Sequence, residues 1–159
     1  MGACLLRKSG MPGAKVFIDS NTFLYTFDVY EEEKRPVAQR WLGYLSDRDC
    51  GVTNLQVLNE IANVAIRKSA KFGDTNVFFR IDAFAAFGSN PLRLETAISA
   101  RAIHLTFRFS WWDCLLLASA LELGCKYFLS EDLKDCQVIE GLTIIDPFAH
   151  SPEQILVSR

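Results

Sequence analysis

Histidine is scarce in this chain. There are two, His104 and His150, among 159 residues. Neither sits in a metal-binding motif, and a lone His in a helical pattern, such as His104, is more often structural than catalytic. The five cysteines, at 4, 50, 114, 125 and 136, are an odd number without a CxxC pair. That makes a poor disulfide framework and a poor zinc site. Reduced thiols are expected, with Cys114 and Cys125 as small core residues. Any metal bound here is then expected to be held by oxygens. Long apolar runs are also lacking. The longest candidate, CLLLASALELG, is broken by Ser119 and Glu122 and falls short of the roughly 18 residues of a membrane span.

A secretory leader is not recognisable either. In MGACLLRKSG the apolar patch is tiny and the basic residues follow it. Leu6 stands where a myristoylation motif needs Ser or Thr. The protein therefore reads as cytoplasmic. An excess of positive charge is missing too. The net charge of −2 argues weakly against a general nucleic-acid binder. It does not exclude an enzyme that holds nucleic acid locally, because acids clustered round a metal lower the total. Short basic groups, Lys34 with Arg35 and Arg67, Lys68 and Lys71, are read as solvated helix faces.

What is present is a core-building sequence, half hydrophobic and 23% charged. A chain of this length forms about one domain and hides roughly two-thirds of its unfolded surface. Residues 1–13 are read as a flexible N-terminal extension, with Met11 an alternative start, 14–150 as the domain and 151–159 as a C-terminal tail. Short apolar runs are predicted as strands at Val16–Ile18, Cys50–Thr53, Leu92–Leu94, Lys126–Ser130 and Leu142–Ile145. Helices are predicted over Thr22–Phe27, Val37–Ser46, Leu55–Lys71, Thr75–Phe87, Thr96–Phe107 and Trp112–Leu123. The second presents Val37, Trp41, Leu42 and Leu45. The third presents Leu58, Ile61, Ala62 and Ala65. Pro36 suits the first turn of the second helix, Asn54 caps the third, and Gly73 and Gly124 close helices. Asp74 is the expected cap of the fourth helix, GSNP at 88–91 is a loop, and Pro147 ends the regular part. Strands alternating with helices imply a parallel sheet flanked by helices, with ligands outside the carboxyl ends of the strands.

Four acids invite a functional reading, each against a structural one. Asp19 ends the apolar run of VFIDSNTFLYTF, where a helix cap is the commoner use, and Asn21 could serve as well. Glu60 borders the apolar arc of its helix beside Arg67 and Val64, and solvation or pairing with Arg67 would explain it. Asp113 opens a helix that is apolar nearly all round, yet Ser110-Trp-Trp-Asp113 also fits a capping box. Asp132 follows a strand in LSEDLKD, with Glu131 and Asp135 as competitors. Like charges gathered at one sheet edge raise each other's pKa unless a cation neutralises them. Mg²⁺ does so with carboxylate oxygens, water and substrate phosphate. Such a site suits phosphodiester hydrolysis.

The order VFIDSNTFLYTF, LNEIANVAIRK, SWWDCLLLASALELGC and KYFLSEDL resembles a PIN domain, most closely the VapC-type toxin ribonucleases of bacterial and archaeal toxin–antitoxin pairs. The likeness spans about residues 15–147. It implies a three-layer α/β sandwich and an acidic quartet of Asp19, Glu60, Asp113 and Asp132, with Asn21 and Ser130 as polar support. It implies an Mg²⁺- or Mn²⁺-dependent endoribonuclease in which Asp19, Asp113 and Asp132 hold the metal and Glu60 handles the attacking water. The implied substrates are tRNA or rRNA. The implied partners are an antitoxin and a second copy of the chain in a homodimer. Two other readings stay open: a PIN-like module that binds RNA or protein without cutting, and a HAD-like phosphatase.

Overall fold

A computed structural model of the protein describes residues 13–73 and 76–156. In chain order the elements are β1 (Val16–Ile18), α1 (Ser20–Tyr25), α2 (Lys34–Asp47), β2 (Gly51–Val52), α3 (Leu55–Arg67), α4 (Ser69–Phe72) and α5 (Val77–Phe84). A 3₁₀ turn at Ala85–Phe87 precedes α6 (Leu94–Phe107) and α7 (Trp111–Glu122). β3 (Tyr127–Leu129), β4 (Val138–Ile139), β5 (Leu142–Ile145) and α8 (Pro152–Leu156) follow. Residues 1–12, most of the expected extension, lie outside the described residues, as do Asp74 and Thr75 at the expected fourth-helix start and residues 157–159.

The strands form one sheet in the order β2-β1-β3-β5-β4, parallel except for β4, which pairs antiparallel with β5. Val16, Phe17 and Ile18 are all fully buried. Neighbouring side chains on a strand point to opposite faces, so both faces of β1 are covered, as in helix-flanked parallel sheets. Phe17 is in register with Phe128 of β3, and their rings stack at 5.2 Å. Such directly opposed aromatic pairs fix strand alignment. Here the alignment also pairs Ile18 with Leu129, so the chain leaves both strands side by side at Asp19 and Ser130.

Helix boundaries follow packing where propensity is silent. α2 turns Ala38, Trp41, Leu42 and Leu45 inward and leaves Val37 exposed. The expected long third helix stops at Arg67. Lys68 leaves helical geometry, and the chain restarts as α4. The break lets Phe72 bury itself against Phe27, at 4.9 Å between ring centroids, while the Lys71 carbonyl accepts from the Val29 amide. Ala62 is only half-buried, and Val57 joins Leu58, Ile61 and Ala65 in the core. Asn76 caps α5, accepting from Phe78 N and Phe79 N.

Three expectations are corrected. Leu92–Leu94 is not a strand. Among the described residues it joins no sheet, Leu92 and Leu94 are exposed, and α6 begins at Leu94. Pro147 does not end the regular part, because α8 follows and buries Ile155 and Leu156 in the core. Cys50, Cys114 and Cys125 are buried free thiols, but Cys136 is disulfide-bonded. An odd cysteine count leaves room for one bridge beside free thiols. β4 was unexpected: a two-residue Glu140-Gly141 turn, positive in φ at both residues, folds it onto β5.

Gly88 is required where it stands. Its φ is 137°, and a Cβ there would lie 2.5 Å from the Thr53 carbonyl oxygen. This close approach, with Leu55 N donating to Asn90 O at 3.1 Å, pins the 88–91 loop against the start of α3. No helix among the described residues is long and apolar enough to cross a membrane.

Fully buried Trp41 donates its indole N–H to the carbonyls of Pro147 at 2.9 Å and His150 at 3.1 Å, tying α2 to the turn after β5. Trp41→Phe keeps most of the packing and orphans these acceptors. It should cost about 1–3 kcal/mol, read as a lower urea midpoint at unchanged m-value. An unchanged midpoint would show that the indole N–H does not hold that turn.

Candidate active site

The first acid is placed by β1. Asp19 is the N-cap of α1, accepting from Ser20 N at 2.6 Å, and it is 9% exposed. The capping role therefore exists, but it does not account for the surroundings. Burial, and then the charges of Glu60, Asp113 and Asp132, push the Asp19 carboxyl up to about 7. The backbone hydrogen bond from Ser20 opposes that rise. The structure thus brings the other three sequence-predicted acids within electrostatic reach of Asp19.

Each of the other three has its own support. Glu60 lies on α3, whose start is fixed by the Asn54 side chain accepting from Val57 N at 3.0 Å. Glu60 makes no ion pair with Arg67 among the described residues. Its carboxylate accepts from Gln56 Nε2 at 3.1 Å. Desolvation raises its pKa, hydrogen bonds from Gln56 and Ser20 oppose this, and the charge of Asp113 adds to the rise. Asp113 sits in the first turn of α7. Ser110 Oγ accepts from its amide at 3.2 Å and donates to its Oδ2 at 2.8 Å. This is the expected cap, with the acid returning to the serine hydroxyl.

Asp132 is exposed and follows β3. Asn21 Nδ2 donates to its Oδ2 at 2.8 Å, linking α1 to the β3 turn. Ser130 Oγ accepts from Asp132 N at 3.2 Å and Leu133 N at 3.3 Å, shaping that turn. Desolvation first, then the charges of Glu131 and Asp113, raise the Asp132 pKa.

The competing acids are committed elsewhere. Glu131 is bound by Lys34 at 2.8 Å and by the Tyr25 hydroxyl. Lys34 also lies over the rings of Tyr25 and Phe148. Asp135 accepts from Asp146 N at 2.9 Å and pairs with His150 Nε2 at 2.7 Å. Asp135, Cys136 and His150 form the one group of three possible metal-ligand atoms within 4.8 Å among the described residues. With the Cys136 sulfur in a disulfide and Asp135 bonded at both oxygens, the group reads as a structural clamp. The quartet's oxygens are more widely spaced than that. Among the described residues, none of its members has a salt bridge.

Two residues at the centre went unnoticed in the sequence. The Ser20 hydroxyl lies 3.3 Å from Asp19 Oδ1 and also serves Glu60. Gln56 bridges Glu60 and the Trp112 carbonyl, the latter at 3.3 Å. A serine between Asp19 and Asn21 was the available signal for the first. For the second it was an amide one helical turn before Glu60. Beside Glu60 opens a cavity of about 530 Å³ between α3, the 88–93 segment and Trp112.

The PIN domain family model matches residues 16–138, a span that includes the whole quartet. The chain belongs to the PIN domain family. Solved structures agree on the fold. A toxin–antitoxin complex from Klebsiella pneumoniae matches with a TM-score of 0.61 at 16% identity, covering 84% of this chain and 98% of that one. VapBC2 from Rickettsia felis, bound to a DNA fragment from its promoter, matches at 0.60 and 12% identity, covering 81% and 96%. VapC20 of Mycobacterium tuberculosis, a sarcin–ricin-loop-cleaving toxin, matches at 0.55 and 13% identity, covering 72% and 87%. No curated protein sequence matches this chain. PIN membership sets aside the HAD-like phosphatase, which would also want an acid where Asn21 stands.

The raised Asp19 pKa has a sign. Between pH 3.8 and about 7 the folded state holds a proton that the unfolded chain releases. Stability of the metal-free protein should therefore fall as pH rises through that window, with the full penalty present above about 7. The Glu60 and Asp132 shifts act in the same direction. Asp19→Asn keeps a competent cap and cannot ionise. In chelator, thermal midpoints at about pH 5 and about pH 8 should differ less in the variant than in the wild type. The variant should be the more stable at the higher pH. Parallel pH profiles would mean that Asp19 is not the buried, crowded acid described.

Proposed function

We propose that the protein is a metal-dependent endoribonuclease that hydrolyses RNA phosphodiester bonds, the toxin of a toxin–antitoxin pair acting on tRNA or rRNA in the cytoplasm. The observation that carries this reading is the gathering of three carboxylates, from three other elements, around a buried Asp19 that has no salt bridge among the described residues. Oxygen donors without a protein cation suit a hard divalent ion that keeps some of its waters, Mg²⁺ or Mn²⁺. Asp19, Asp113 and Asp132 would hold it, and Glu60 would serve the attacking water.

When bound, the ion supplies Lewis acidity toward the scissile phosphoryl group and neutralises charge that builds on it. The chain's own residues supply the rest. Glu60, partly desolvated and oriented by Gln56 and Ser20, takes a proton from the attacking water. Asn21 fixes the Asp132 carboxylate, and Ser130 fixes the turn that carries it. In-line attack leaves a 5′-phosphate and a 3′-hydroxyl. The similar complexes described as toxin–antitoxin support an antitoxin partner for this chain as well, and the reading includes a homodimer. Exposed Phe78 and Phe79 on α5, and Trp111, are available for such protein contacts.

The test is cleavage of a labelled tRNA and rRNA pool by purified protein freed of antitoxin, with Mg²⁺ or Mn²⁺ and with chelator. Asp19→Asn and Asp113→Asn should each lower cleavage about 100-fold or more, the scale of losing a key electrostatic group, and chelator should abolish it. Glu122→Gln should retain activity, because Glu122 accepts from Thr96 Oγ1 at 2.9 Å, away from the quartet. Folded wild-type protein that binds RNA yet cuts none in either metal would favour the non-catalytic binding module.

A further inference from the structure

The cavity beside Glu60 has a lining unlike the acidic centre it adjoins. Gln56, Asn59, Glu60 and Asn63 recur at helical spacing, so they share one face of α3. Leu55, Leu92 and the half-exposed indole of Trp112, at 64% exposure, supply the apolar part. Apart from Glu60 at the rim, no charged side chain lines it.

Its amides differ in how far they are committed. Gln56 Nε2 is committed to Glu60 Oε1 and the Trp112 carbonyl, which fixes the amide's orientation. That leaves Gln56 Oε1 buried with no hydrogen bond. That oxygen is closed to solvent, so Gln56 shapes the floor of the cavity. Asn59 and Asn63 are exposed, and among the described residues their side chains make no hydrogen bond, so both amides are open to a ligand.

We propose that this cavity is a nucleobase pocket, taking one unpaired base of the RNA next to the scissile phosphate, with Trp112 as the stacking platform and Asn59 and Asn63 as edge readers. The proposal rests on the ribonuclease reading and names a specificity site for it. A flat, neutral ring bearing donors and acceptors meets both halves of the lining. A phosphate would meet Glu60 with no cation, and a purely apolar peptide would leave two exposed amides without a use. The volume suits a small ligand. Sequence-specific RNA recognition commonly works on splayed single-stranded bases that stack on aromatic side chains. The Leu92 wall is pre-formed, because Gly88 and Asn90 lock the preceding loop to Thr53 and Leu55.

The experiment measures binding of labelled single-stranded RNAs about ten nucleotides long, of A, C or U, and of an abasic backbone of equal length. The Asp19→Asn variant, which leaves bound RNA uncut, is compared with Asp19→Asn carrying Trp112→Ala, Trp112→Phe, Asn59→Ala or Asn63→Ala. Trp112→Ala should weaken base-bearing RNA about 10- to 100-fold and the abasic strand hardly at all. Trp112→Phe should restore most of the loss, and the asparagine variants should reorder the preference among A, C and U. Unchanged binding after Trp112→Ala, or equal loss for the abasic strand, would overturn the pocket and leave Trp112 to a protein partner. Wild-type cleavage of the RNA pool reports separately on the nuclease reading. If cleavage persists while base dependence is missing, the pocket alone falls. If no oligonucleotide binds and no RNA is cut, both fall.

Discussion

Everything at this sheet edge is organised by the cost of burying Asp19 among other carboxylates. An ionised acid removed from water and surrounded by like charges is unfavourable in the free protein. The fold tolerates it because a large apolar core, centred on the stacked Phe17 and Phe128, holds β1 and β3 in place. The hydrogen-bonded supports of the site do not neutralise its charge. Ser20, Gln56, Asn21, Ser130 and Ser110 orient carboxylates with neutral groups. The nearby cation, Lys34, is taken by Glu131. That division leaves charge-neutralising work to something that arrives from outside the chain.

The same edge separates two kinds of recognition. The quartet offers oxygens and negative charge, suited to a cation and, through it, to phosphate. The adjoining lining on α3 offers uncharged amides and an aromatic face. Glu60 belongs to both, and Gln56 connects them physically through Glu60 and Trp112. Chemistry and selection of substrate would therefore share one helix, with its start locked by Asn54 and by the Gly88 loop.

Much of this was legible in the sequence because it depends on local pattern. β1, the late apolar helix, the Asn54 and Ser110 caps and the strand after Gly124 all follow from periodicity and cap chemistry. The four acids could be nominated from their places at strand ends and helix starts, and the choice of Asp132 over Glu131 and Asp135 was the motif's. What the neighbouring acids bind needed three dimensions. Glu131 is claimed by Lys34, nearly a hundred residues earlier, and Asp135 by His150 and the Asp146 amide. Tertiary contact also ended α3 early, through Phe72 on Phe27. The β4–β5 hairpin was missed because its Glu140-Gly141 turn lacks the usual Asn or Asp signal. The amide stripe of α3 was readable at i, i+3 and i+7, but amides on a helix look like ordinary solvent-facing residues until a cavity is found beside them.

The hydrogen bond from Asn21 to Asp132 joins residues 111 positions apart, and β1 finds its central partner only in β3. A chain emerging from the ribosome has Asp19 early and Asp132 late. Until β3 has been made, β1 lacks its central neighbour and the acidic centre lacks Asp132. Parallel pairing over such separations is slow to form. The order of synthesis thus acts as a timer: the acidic centre is complete only once the late strand β3 has docked beside β1.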